Sequence, residues 1–159
     1  MFTKVTYPDT REESYALLLR QLKELVEGEP NRIANLANAA ALLRQFLDDI
    51  NWVGFYLLED GELVLGPFQG LPACVRIPVG KGVCGTAVSF EETVVVDDVH
   101  QFPGHIACDS ASNSEIVVPL LSGGQIIGVL DIDSPRFGRF DSTDRHYLTA
   151  FCDVLGTYL

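Results

Sequence analysis

The sequence predicts an α+β domain in which N- and C-terminal helices flank a largely antiparallel sheet of about six strands. Three observations predict it. Apolar residues recur at helical spacing through residues 1–50 and again through 141–159. Residues 51–140 between them are rich in β-branched and aromatic runs, separated by Gly, Asp and Ser turn signals. At 159 residues the chain has the size of one ordinary domain, so these segments are expected to share a single core.

Between Asp9 and Gly28, residues Tyr15, Leu18, Leu19, Leu22, Leu25 and Val26 form one apolar stripe, with Asp9 or Thr10 placed to cap the helix and Gly28 and Pro30 to stop it. Asn31 caps a second helix, whose stripe of Ile33, Leu36, Ala40, Leu43 and Leu47 ends at Asp48 and Asp49. Asn51 to Glu59, the turn pair Asp60-Gly61, and Glu62 to Leu65 read as a hairpin. Cys74 to Val79 reads as a further strand, with Pro78 marking an edge. The small apolar run Gly80 to Phe90 suits a short helix lying on the sheet, and Thr93 to Val99 is a strand running into Asp97 and Asp98. His100 to Ser114 holds Pro103, Gly104, His105, Cys108 and Asp109 without periodicity, which marks a functional loop. Glu115 to Leu121 and Ile126 to Ile132 are strands joined by Ser122-Gly123-Gly124-Gln125. Asp141 caps a final helix with Leu148, Phe151, Cys152, Leu155 and Leu159 on one face.

Eleven Lys and Arg against 22 Asp and Glu give a formal charge of -11, a field that repels phosphate backbones and anionic lipid. Neither nucleic acid nor a membrane is an expected partner. The opening MFTKVTYPDTREE lacks the basic, apolar and small-residue blocks of a signal peptide, and no apolar run nears the length of about 20 residues that spans a bilayer. A cytoplasmic location is therefore expected.

In a reducing compartment the four cysteines, Cys74, Cys84, Cys108 and Cys152, are expected to be free, redox-active or metal-binding. Cys152 lies on the apolar stripe of the last helix and reads as a small core residue. The gaps between the other three match no close C-x2-C or H-x3-H pair, so no metal site is expected, His100, His105, Cys108 and Asp109 forming at most an irregular cluster. Cys84 admits two readings: a thiolate favoured by a helix N-terminus and Lys81, or a packed thiol beside Ala87 and Val88. For Cys108, a protonated His105 would promote the thiolate and Asp109 would oppose it. Asp131 and Asp133, two residues apart on a strand, point to the face opposite Leu130 and Ile132. If that side lines a pocket, their charges need a cationic ligand group or a shared proton.

Taken together, NWVGFY, LGPFQG, ACVRIPVGKGVCGTA, ACDSASNSEIVVPL and GVLDIDSP resemble the free methionine-(R)-sulfoxide reductases, which are stand-alone GAF domains, over about residues 10–159. The resemblance implies a GAF fold and thiol-dependent reduction of free L-methionine-(R)-sulfoxide through a cysteine sulfenic acid and an intramolecular disulfide. It makes Cys108 the attacking cysteine, with Cys84 and Cys74 as two further redox cysteines, either of which resolves the oxidised enzyme. It makes Glu115, Asp131 and Asp133 pocket carboxylates and Trp52 and Tyr56 aromatic residues lining the site. Preference for the R epimer rests on the resemblance alone. No bound cofactor is implied; thioredoxin, fed by NADPH, is the external reductant, and a homodimer through the terminal helices stays open. The rival is a small-molecule-sensing GAF module without catalysis. Phe140 to Arg145 echoes the F-x3-D-E end of a cyclic-nucleotide signature, but Arg145 stands where that signature has Glu.

Overall fold

Helices α1 (Arg11–Val26) and α2 (Arg32–Phe46) precede the hairpin of β1 (Trp52–Glu59) and β2 (Glu62–Gln69) in the computed structural model, which describes residues 1–159. The short strand β3 (Arg76–Pro78), helix α3 (Gly82–Phe90) and strand β4 (Val94–Val96) follow, then a 3-10 turn at Val99–Gln101. A second hairpin, β5 (Ser114–Ser122) and β6 (Gln125–Ser134), leads into α4 (Ser142–Gly156). The six strands form one antiparallel sheet in the order β3-β2-β1-β6-β5-β4, so the two long hairpins meet at its centre. This is the α+β arrangement predicted.

The caps explain the helix starts. Thr10 rather than Asp9 caps α1, its side chain accepting from the Glu13 N–H. Asn31 does the same for α2 through Ala34, and Asp141 with Asp144 forms a capping box on α4. Asp144 is also the buried hub that ties α4 to α1, taking Arg11 at 2.8 Å, Arg139 at 3.3 Å and the Tyr15 hydroxyl at 2.6 Å. The segment that echoes a nucleotide signature is thus occupied with helix capping, and none of its residues lines the pocket described below.

Three strands differ from their sequence reading. β2 runs on to Gln69, because a bulge opposite β1 between Gly54 and Tyr56 takes up Pro67, which has no N–H for the ladder. β3 shrinks to three residues and leaves Cys74 in the preceding loop. β4 stops at Val96, after which Asp98 accepts from the His100 N–H and starts the 3-10 turn.

Alternation along the central strands divides the molecule into two layers. Val53 and Phe55, Ile116, Val118 and Leu120, and Leu130 and Ile132 face α1, α2 and α4, in a cluster of 23 buried apolar residues that includes Cys152. Trp52 and Tyr56, Val117 and Val129 face the other way, with Val83, Cys84, Ala87 and Val88 of α3, in a smaller cluster of 12. No helix is long and apolar enough to cross a membrane.

Candidate active site

The smaller layer is not filled by helix. Only the nine residues of α3 cover it, and two loops, 71–75 and 102–114, close the rest over a pocket. Gly85 lets α3 approach β3 directly, since a side chain there would collide with the Pro78 carbonyl oxygen. Trp52 stacks on Phe68 at 5.2 Å and on Tyr56 at 5.9 Å, and the first of these stacks needs Gly54, where a Cβ would strike Phe68.

Glu115 on β5 stands directly opposite Asp133 on β6, and Asp131 lies two residues before it on the same face. Like charges in opposed register repel. Glu115 and Asp131 are also buried, and each carboxyl is held well above the ordinary range. Desolvation is the main cause, followed for Glu115 by Asp133 and for Asp131 by Glu115. The Cys84, Glu115 and Asp131 ligand atoms crowd within 4.8 Å of one another, so two full negative charges there would repel strongly. Asp133 is raised by burial, then by Asp131 and Asp109. One oxygen of Asp131, Oδ1, is buried without a partner. The floor of the pocket is therefore a proton-holding acid cluster with an unfilled acceptor.

Cys74 and Cys108 are joined in a disulfide, with their Cα atoms 5.6 Å apart. The bridge ties the 71–75 loop to the 102–114 loop, and both loops line the pocket. Trp52 and Tyr56 hold the same Cys74 segment from below: the indole N–H donates to the Leu71 carbonyl at 3.1 Å and the Tyr56 hydroxyl to the Cys74 carbonyl at 2.9 Å. The free space left inside is about 30 Å³, enough for a water or two and too small for an amino acid.

Cys84 remains a free, buried thiol on the first turn of α3, its Sγ 4.0 Å from Glu115 Oε1. Of the two readings of Cys84, the structure favours the thiol packed beside Ala87 and Val88. Burial, then Asp131 and Glu115, push the thiol well up, while Lys81 is exposed and makes no side-chain cap. A few partial charges at a helix end do not outweigh two carboxyls and the loss of water. A metal ion held by Cys84, Glu115 and Asp131, whose ligand atoms lie within 4.8 Å of one another, would have to displace all those protons against the same burial. The three groups are better described as an acid cluster.

Of the irregular set, His105, Cys108 and Asp109 line the pocket, whereas His100 lies apart. His100 is bonded on the surface to Asp98 at 2.8 Å, and Asp109 receives the Ala111 N–H and the Asn51 side-chain amide. His105 turns to Glu115, Nε2 to Oε2 at 3.6 Å. Asn51 escaped the sequence reading. Its amide bonds both Asp109 and Ser112, and its backbone N–H bonds the Asp133 carbonyl, so it pins the Cys108 loop to the sheet. Its place one residue before an aromatic strand was the only local signal. Cys152 lies on the other side of the sheet in the apolar layer, where burial raises its pKa.

A curled antiparallel sheet with helices on one face and a loop-covered pocket on the other defines a GAF domain, and the GAF domain family matches residues 31–159. The chain is 62% identical over 136 residues to the free methionine-R-sulfoxide reductase of Escherichia coli strain K12, covering 86% of this chain and 82% of that one. Among solved structures it superposes on fRMsr of Staphylococcus aureus in its reduced form with a TM-score of 0.90 at 57% identity, covering 98% and 99% of the two chains. The free methionine-R-sulfoxide reductase from Neisseria meningitidis in complex with its substrate matches with a TM-score of 0.92 at 46% identity, covering 99% and 95%. The chain belongs to the free methionine-R-sulfoxide reductase family of GAF-domain proteins.

Proposed function

We propose that the protein reduces free L-methionine-(R)-sulfoxide to L-methionine, with Cys108 as the nucleophile and Cys74 as the resolving thiol. The observation that carries the reading is the Cys74–Cys108 bridge at a pocket floored by the buried carboxyls of Glu115 and Asp131. Family membership supports the substrate and its R configuration. The Cys108 thiolate attacks the sulfoxide sulfur, forming an S–S bond, while Glu115 gives its proton to the oxygen and the S–O bond breaks with release of hydroxide. The hydroxide then attacks Cys108 Sγ, cleaving the S–S bond and expelling the thioether. One sulfoxide and one thiol become one thioether and one sulfenic acid. Cys74 then displaces the hydroxyl from Cys108 as water, forming the disulfide. Thioredoxin, reduced at the expense of NADPH, returns both thiols by exchange.

Selection of the free amino acid follows from charge. The partnerless Asp131 Oδ1, with Asp133, suits the α-ammonium that a peptide-bound residue lacks. Trp52 and Tyr56 offer an aromatic wall to the thioether. Breaking the bridge releases the 71–75 loop from the Cys108 loop and makes room for substrate. Cys84, buried at the acid cluster, serves as a proton-holding neighbour of Glu115 and not as the first resolving thiol.

The test is NADPH consumption coupled through thioredoxin. Turnover is expected with the free R epimer and not with the S epimer or a peptide-bound sulfoxide, and Cys108→Ser is expected to remove it. Sustained turnover by Cys108→Ser refutes the mechanism, and mass mapping after one equivalent of sulfoxide should find Cys108 bonded to Cys74.

A further inference from the structure

His105 is the only basic side chain among the 17 residues that line the pocket. It sits three residues before Cys108 on the loop that covers the site, and its Nε2 lies 3.6 Å from Glu115 Oε2. The exposures run in order: the His105 side chain is 15% exposed and the Glu115 side chain 7%. Loop residues Gln101, Pro103 and Gly104 around it are open to solvent. The ring therefore stands between water and a carboxyl that water reaches poorly.

The proposed reaction makes that position consequential. Each turnover takes a proton from the acid cluster to the sulfoxide oxygen and releases one from the Cys108 thiol. The sum is zero, but the proton leaves from one group and is needed at another. An unprotonated Glu115 beside Asp131 and Asp133 carries a charge that burial penalises, so it must be reloaded before the next sulfoxide is reduced.

Resting on the proposed reductase reading, we propose that His105 is a proton-relay residue that acts through Glu115: it takes a proton from solvent and passes it from Nε2 to Glu115 Oε2, 3.6 Å away, through one bridging water after each turnover. Imidazole suits this task because one ring nitrogen accepts while the other donates, so the ring ends as it began. Burial keeps the ring's pKa below its ordinary value, so His105 rests neutral and carries charge only in transit. Glu115, Asp131, Asp133, Asp109, Cys84, Tyr56 and, once the bridge is reduced, Cys108 are the other titratable groups lining the same pocket, and none of them is a cation that would hinder delivery.

The first turnover separates this role from a structural one, because Glu115 begins it already loaded. In rapid-quench measurements with pre-reduced protein and excess dithiothreitol, His105→Ala and His105→Gln are expected to form the first equivalent of methionine at nearly the native rate. Their steady-state rate is expected to fall by at least about tenfold. That rate should recover with added imidazole, and its ratio to the native rate should rise as pH is lowered from about 8 to about 6, where solvent protons replace the relay while both proteins lose thiolate alike. A native steady-state rate in both variants overturns the relay. So does an equal slowing of the first turnover, which would make His105 a residue that only shapes the pocket. Absence of methionine from the native protein itself overturns the reductase reading, and the relay with it.

Discussion

The two faces of the sheet are built from the same strands, yet they do opposite things with burial. The helix-covered face packs 23 apolar residues. The loop-covered face buries 12, the free thiol Cys84 among them, together with Glu115 and Asp131. The helix side contains one buried carboxylate hub, Asp144, and surrounds it with two arginines and a tyrosine hydroxyl. The pocket side sets Glu115 opposite Asp133 with no arginine or lysine among the lining residues. Buried charge with partners is architecture, whereas buried acid without them keeps its protons and an unfilled acceptor. Both faces share β1, β5 and β6, so the acid cluster sits on strands whose other side is packed with apolar residues.

The largest effect that would break this division is Phe151→Ala. Phe151 is fully buried in the helix-side cluster, and its truncation is expected to cost about 3–5 kcal/mol in chemical denaturation while the rate per folded molecule stays close to native. A collapse of activity in the fraction still folded would mean that the faces are coupled more tightly than their packing suggests.

Glu115→Gln should act the other way. Turnover is expected to fall by about 10²-fold or more, because an amide has no proton to give, while stability at neutral and alkaline pH should rise. The sign follows from the raised pKa. The folded protein holds the Glu115 proton where the unfolded chain, with an ordinary value of 4.5, has lost it. That contribution is complete below about pH 4 and is lost as pH climbs through the raised folded value. The native protein should therefore lose stability with rising pH more steeply than Glu115→Gln, in melting curves across that range. Parallel pH profiles would show that Glu115 does not carry the buried proton.

The smallest effect sharpens the helix side. Arg11 is half-exposed and pairs with both Asp141 and the buried Asp144, so Arg11→Ala is expected to cost about 1 kcal/mol, with Arg139 and Tyr15 still holding Asp144. Sulfoxide reduction should be unchanged. A several-fold loss of turnover would place this network in communication with the pocket.

Much of the molecule was legible in its residues. The stripe in α1, the Asn31 and Asp141 caps and the two hairpin turns all report local preferences that survive folding. The alternation of Leu130 and Ile132 with Asp131 and Asp133 was enough to send the carboxyls to the face away from the helices. Less legible was where strands end. Cys74 lies within an apparently strand-forming run, but the ladder begins at Arg76, because β3 is an edge strand with one neighbour and Tyr56 and Trp52 draw the preceding backbone over the pocket.

What the sequence by itself determined is the α+β class, the layer to which each strand residue belongs, and the family whose motifs it carries. These follow from periodicity and short motifs, which are properties of neighbouring residues. Only the tertiary structure decided which thiols meet. Cys74 and Cys108 are 34 residues apart and Cys84 is closer in sequence to both, yet the bridge forms between two loops at the pocket while Cys84 sinks beneath it. It also turned His105 toward Glu115 and buried the Cys84 thiol beside Glu115 and Asp131, which pushes its pKa up. The physical reason is common to all three: distances across the sheet and the exclusion of water depend on the order β3-β2-β1-β6-β5-β4, and no local pattern encodes either.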